Sequence, residues 1–230
     1  MQPQRGAPFT IPVPHGGLEA LLRGPAEDEP VRGAAVVCHP HPLHGGTMHT
    51  KAVYRAAQAL AEAGLAALRF NFRGVGRSTG SYDDGVGERD DARAALDWLA
   101  ERYPASPLVA GGFSFGSEVG LAVGAEDSRV VALLGLGLPV ERGERYDFGW
   151  LASVEKPVLI VQGEQDEFGS GARIAELAGA LGDHVTLVRV PGADHYFTDR
   201  LDELRAAIRE YFLNGAGAAA LAAGRPEGAS

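Results

Sequence analysis

Leu108-Val109-Ala110-Gly111-Gly112-Phe113-Ser114-Phe115-Gly116-Ser117 runs from a short apolar stretch, through a serine with glycine two residues to either side, into a segment of helical period. Gly112-x-Ser114-x-Gly116 between a strand and a helix is the pattern of a tight turn that lifts a hydroxyl above a sheet edge. Small residues are needed at both flanking positions because the entering and leaving backbones crowd there. The helix that follows aims its positive end at any negative charge developing near the serine. The bare pentapeptide arises easily in a chain with 32 glycines, so its weight comes from the strand–turn–helix context. Ser117 lies one turn into the helix, where a hydroxyl is expected to bond to helix backbone, so Ser114 is the candidate nucleophile.

Outward from this turn, short β-type runs alternate with helix-period segments. Phe9–Val13 and Leu18–Arg23, split by Pro14-His15-Gly16-Gly17, read as a hairpin. Ala34–Cys38, Leu65–Phe70, Pro107–Phe113, Val130–Leu136, Pro157–Val161 and Val185–Val190 read as strands, several of them apolar enough to be buried on both faces. Helical spacing links Val53, Ala56, Ala57 and Leu60, then Ala92, Ala95, Leu96 and Leu99 within Glu88–Arg102. It continues over Phe115–Gly124, over Ile174, Leu177 and Leu181, and over Leu201, Leu204, Ile208 and Phe212. The alternation predicts an α/β fold with a parallel sheet between two helical layers. Residues 214–230 are Gly/Ala-rich without an amphipathic stripe and read as a flexible tail.

A serine hydroxyl is a weak nucleophile until a base takes its proton, and the base needs a carboxylate to orient it. On a sheet of this kind the chain order is serine, acid, histidine. Downstream of Ser114 stand His184 and His195. His184 precedes the last strand, at the wrong sheet edge, whereas His195 follows it on the edge of Ser114 and is the expected base. Among acids, Asp166 lies just past the Pro157–Val161 strand, with Glu164 and Glu167 as close competitors, and Asp194 reads as a loop residue. An oxyanion hole is expected from the Phe115 N–H and one N–H of the loop after Ala34–Cys38. There Pro40 and Pro42 have no N–H, which leaves His41 as the expected donor.

That loop also holds His39, His44 and His49. A metal site would need converging ligands, but the prolines are expected to hold the start of the loop extended and turn neighbouring side chains in different directions, so no metal is expected. The loop Asn71–Ser78 lacks a dinucleotide fingerprint, the third glycine being displaced to Gly80, and no cofactor is expected. Arg73 in it could meet an anionic group but reads more simply as a structural loop arginine.

Composition narrows the classes. The chain has 230 residues, 45% of them hydrophobic and 22% charged, with a net charge of −9. No basic block suggests a nucleic-acid partner. Its longest apolar run, Val130–Val140, falls far short of a membrane span. A single cysteine, Cys38, excludes an intrachain disulfide, and with no signal-peptide pattern at the start the expectation is a cytoplasmic protein.

Taken together, these residues resemble the α/β-hydrolase superfamily over residues 8–213. More narrowly, the chain is similar to small bacterial hydrolases carrying His-Pro-His-Pro…Gly-Gly-Thr-Met and Arg-Phe-Asn-Phe-Arg-Gly-Val-Gly, here His39–Pro42, Gly45–Met48 and Arg69–Gly76. The resemblance implies a Ser114–Asp166–His195 triad and a mostly parallel eight-stranded sheet whose second strand is antiparallel. Where that group commonly has an aromatic and an Asp-Asn pair, this chain has His44 and His49-Thr50. Related dienelactone-hydrolase-like enzymes often use cysteine as nucleophile, and serine at 114 points instead to esterase chemistry. Superfamily members often insert a helical cap after the sixth strand, but Leu138–Glu155 is too short for one, so an open, shallow site is expected. The expected function is a serine carboxylesterase acting on a small-molecule ester with short or exposed acyl groups. A thioesterase or acyltransferase with the same residues is the alternative, and a non-catalytic ligand-binding homologue lies further off.

Overall fold

The structure is a computed structural model that describes residues 6–224. Eight strands form one sheet: β1 (Phe9–Val13), β2 (Gly16–Arg23), β3 (Gly33–Cys38), β4 (Leu65–Phe70), β5 (Leu108–Phe113), β6 (Val130–Leu136), β7 (Val158–Gly163) and β8 (Val185–Val190). Their spatial order is β1-β2-β4-β3-β5-β6-β7-β8. β2 runs antiparallel to both β1 and β4, and all other pairings are parallel. The helices are α1 (Lys51–Glu62), α2 (Val86–Arg102), α3 (Phe115–Glu126), α4 (Gly171–Leu181), α5 (Leu201–Leu213) and α6 (Ala216–Ala223).

β3, β4, β5 and β7 are buried along their whole length, as expected of strands covered on both faces. Successive residues then serve opposite layers. Ala34, Val36 and Cys38 face the layer that holds α2, α3 and α4, while Ala35 and Val37 face the layer of α1 and α5. Cys38 is wholly buried, and burial pushes its thiol above the ordinary range. From β3 the chain turns by way of α1 to β4 on one side, and β5 returns to the other side of β3. The crevice beyond the carboxyl ends of β3 and β5 is therefore a topological switch point, the place where open α/β sheets bind ligands.

One expectation needs correction. Of the 214–230 segment expected to be a flexible tail, the described part carries α6, whose Leu221 is buried in the space left by Gly33 and whose end packs near Pro107 and Val131, while residues 225–230 lie outside the described residues. With alanines on every side and one large residue, α6 has no apolar stripe for the sequence to reveal. In the loop after β3, the backbone is extended at His41, with φ −49° and ψ 121°, and turns only beyond it. Pro42 opens a 3-10 turn, Pro42–His44, a position proline favours. Residues three apart nearly eclipse in such a turn, and the His41 and His44 rings stack with centroids 4.3 Å apart.

Between β6 and β7 no cap is built. The link folds as two 3-10 turns, Glu144–Tyr146 and Gly149–Ser153, anchored by buried Phe148 and Leu151. Among the described residues, no helix is long and apolar enough to cross a membrane.

Candidate active site

Ser114 stands between β5 and α3 with φ 56° and ψ −120°, a conformation that costs a non-glycine residue about 1–3 kcal/mol and persists only where its surroundings enforce it. Here the Ser114 N–H donates to Leu136 O at 2.9 Å, and its carbonyl accepts from the Ser117 N–H at 2.9 Å and the Ser117 hydroxyl at 2.6 Å. Ser117 thus serves helix backbone, as its position predicts. A Cβ on Gly112 would collide with the carbonyls of Gly116 and Cys38, and one on Gly116 with those of Cys38 and His39. Close approach of three backbones is what the two glycines permit.

The structure brings Ser114, His195 and Asp166 together from three loops. His195 Nδ1–H donates to Asp166 Oδ2 at 2.8 Å, which leaves Nε2 as acceptor for the Ser114 hydroxyl at 3.0 Å. His195 and Asp166 are each only 2% exposed, while Ser114 is half-buried at the surface of the crevice. Phe113, Phe168 and Tyr196 ring the imidazole at centroid distances of 4.9, 4.6 and 5.3 Å. The competitors point elsewhere. Glu164 is exposed and lies 3.7 Å from Arg189, Glu167 is exposed, and Asp194 accepts the Thr198 N–H at 2.8 Å. His184, at the far end of β8, meets Leu151 O at 3.0 Å.

Sequence reasoning missed Gln162. This buried side chain donates to Asp166 Oδ2 at 2.7 Å and Gly169 O at 2.8 Å, and accepts the Leu138 N–H at 2.8 Å. Together with the Phe168 N–H on Oδ1 at 2.8 Å, it fixes the Asp166 carboxylate in the plane that His195 needs. The available signal was a glutamine at the end of an otherwise apolar strand, where a buried amide must be bonded.

The loop after β3 is held by the two sequence motifs gripping each other. His39, fully buried, donates from Nδ1 to Pro40 O at 2.6 Å and accepts the Phe72 N–H on Nε2 at 3.0 Å. Burial keeps this imidazole neutral, with its pKa lowered to about 4. Asn71 Oδ1 accepts the Met48 N–H at 2.8 Å, and Arg69 donates to Met48 O at 2.7 Å. Arg73 forks onto buried Asp91 through Nε and Nη2, the shortest contact being 2.8 Å, so it is part of the frame. His41 packs on Phe115 with centroids 5.1 Å apart; its Nδ1 accepts the Leu43 N–H at 3.3 Å, which leaves Nε2–H to donate to the Tyr82 hydroxyl at 3.2 Å. His41 and Phe115, both expected at the oxyanion hole, thus lie against one another, with Phe115 as first residue of α3.

Around Ser114 is a cleft of about 320 Å³, lined by the 40–46 loop, Pro139, Arg142, Tyr146, Phe168 and Tyr196. This is the small end of the range for ligand sites.

A family model described as alpha/beta hydrolase domain matches residues 34–207. An uncharacterized protein of Rickettsia prowazekii (strain Madrid E) is 36% identical over 207 residues, 87% of this chain and 86% of that one. Among solved structures, an alpha-beta serine hydrolase homologue from Coxiella burnetii superposes with a TM-score of 0.84 at 37% identity, over 91% of this chain and 99% of that one. A member of the a/b serine hydrolases without lid, from Xanthomonas campestris, gives 0.81 at 36% identity, over 93% and 95%.

Proposed function

The chain belongs to the alpha/beta hydrolase family, and from that premise we propose that it is a serine carboxylesterase cleaving short-chain or exposed carboxylic esters through an acyl-enzyme. The observation that carries this reading is the hydrogen-bonded line from Ser114 Oγ through His195 to Asp166. As Oγ attacks the ester carbonyl, His195 Nε2 takes its proton and then returns it to the departing alcohol. Asp166 holds the tautomer with Nδ1–H and stabilises the imidazolium. The N–H groups of Phe115 and His41 receive the oxyanion, each such donor being worth about 10²–10³ in rate. Water, activated by His195, then cleaves the acyl-enzyme and regenerates the serine. The relatives of serine hydrolase type and the small, uncapped cleft support short or exposed substrates over long buried acyl chains.

The test is labelling with a serine-reactive phosphonate together with hydrolysis of 4-nitrophenyl acetate, butyrate and longer homologues. The expected result is one phosphonyl adduct on Ser114, absent from Ser114→Ala, and a short-chain optimum. Ser114→Ala and His195→Ala should each lose about 10⁴-fold or more in kcat while melting as the parent does. No adduct and no turnover would favour a binding module. Thioester turnover exceeding that of matched esters would favour a thioesterase.

A further inference from the structure

Among the described residues lining the cleft, Arg142 is the only one with a permanent charge. In this protein 30 acidic residues face 21 lysines and arginines, and many arginines are taken up by carboxylates. Arg73 pairs with Asp91, Arg89 with Glu118 and Arg129 with Asp127. None of the ion pairs among the described residues involves Arg142. Its neighbour Glu141 is turned away and accepts the Ser170 hydroxyl at 2.7 Å.

The guanidinium is nevertheless placed. Its Cζ lies 4.0 Å from the centroid of the Phe168 ring, a stacking contact that arginine favours. Its backbone is fixed by the Arg142 N–H on Pro139 O at 3.0 Å and by the Glu141 N–H on Phe168 O at 2.9 Å. Phe168 in turn donates its N–H to Asp166 and sets its ring against His195. One aromatic residue therefore fixes the cation relative to the reacting groups. A guanidinium lying on a ring face keeps its N–H edge open, and that planar fork matches a carboxylate in two parallel hydrogen bonds.

We propose that Arg142 selects the substrate, and that the favoured substrates are esters bearing a carboxylate a few bonds from the scissile carbonyl, half-esters of short dicarboxylic acids being the simplest. This rests on the hydrolase reading above and names the substrate class of the same site. The cleft volume of about 320 Å³ suits such a molecule, whereas a long neutral acyl chain gains nothing from the cation. Hydrolysis adds water across the acyl C–O bond, so a methyl half-ester yields methanol, the dicarboxylate and one proton at neutral pH.

The proton makes the test direct. Monomethyl glutarate and methyl 5-methylhexanoate, in which an isopropyl group replaces the carboxylate, are compared by pH-stat with the parent protein and Arg142→Gln. The ratio of kcat/KM, charged over neutral, is expected to fall by about 10-fold or more in Arg142→Gln, mainly through KM. Arg142→Lys should fall between, and in the parent the ratio should shrink as NaCl is added. A second measurement does not depend on turnover: the Kd of monomethyl glutarate for Ser114→Ala, against that for Ser114→Ala/Arg142→Gln, should rise by a similar factor. If the parent cleaves neither ester, the esterase reading fails while the pair of Kd values still decides the role of Arg142. Equal Kd values, or where turnover occurs a ratio unmoved by Arg142→Gln, would overturn the proposal.

Discussion

At pH 7 the His39 imidazole is neutral inside the protein, one nitrogen donating to Pro40 O and the other accepting from the Phe72 N–H. Burial lowers its folded pKa to about 4, against 6.5 when exposed. Between those values the unfolded chain binds more protons than the folded one, so stability rises with pH across this window and is lost as pH falls through it. In going from pH 7 to pH 5, His39 alone should remove about 2 kcal/mol. Urea unfolding at both pH values checks this, with His39→Gln expected to lose less than the parent by that amount, and equal losses counting against it. The same residue shows why a histidine-rich tract is hard to interpret from order alone. His39, His41 and His44 are near in sequence, yet one is buried under Phe72 while the other two stack over the cleft. Ser114, His195 and Asp166 could be singled out because each must lie just beyond a strand end. Gln162 and Arg142 could not, because their roles depend on which loops meet in space.

The element that carries Ser114 is held at both ends. At its start, α3 is locked by the crowded backbones of Gly112, Gly116 and Cys38. At its end, Lys156 Nζ donates to the carbonyls of Gly124, Ala125 and Asp127 at 2.7, 3.0 and 2.6 Å. A cation there meets the negative end of the helix and satisfies carbonyls that have no intrahelical donor. Desolvation holds the Lys156 pKa below the usual lysine range, a cost offset by those three bonds. Lys156→Met should therefore destabilise by about 1–2 kcal/mol, seen as a Tm lower by roughly 2–8 °C. An unchanged Tm would show that water replaces the ammonium. The helix itself was legible from Phe115 onward, but its cap was not. A lysine thirty residues away carries no sign in the sequence of the carbonyls it will meet.

At the scale of the molecule, the order of the central elements follows from strand–helix alternation, because parallel strands need crossovers and crossovers of one hand place helices on both faces. The antiparallel insertion of β2 between β1 and β4 has no such local cause and came only through family resemblance. α6 had no signature at all, since its buried face is Gly217 and Leu221 in a run of alanines. Removing residues 215–230 would expose the bed of Leu221 beside Gly33 and is expected to cost about 2–4 kcal/mol, read from the urea midpoint, with Ser114 labelling by the phosphonate retained. Loss of labelling in a folded truncation would tie α6 to the site instead. One consequence follows from Cys38, the sole cysteine, sealed in β3 with its thiolate form disfavoured. The native protein is in effect blank to thiol reagents. A cysteine placed at Tyr196, which is 53% exposed on the cleft rim, would take a fluorophore or spin label at a single address. Entry of an ester could then be followed optically, with the wild-type core contributing no background.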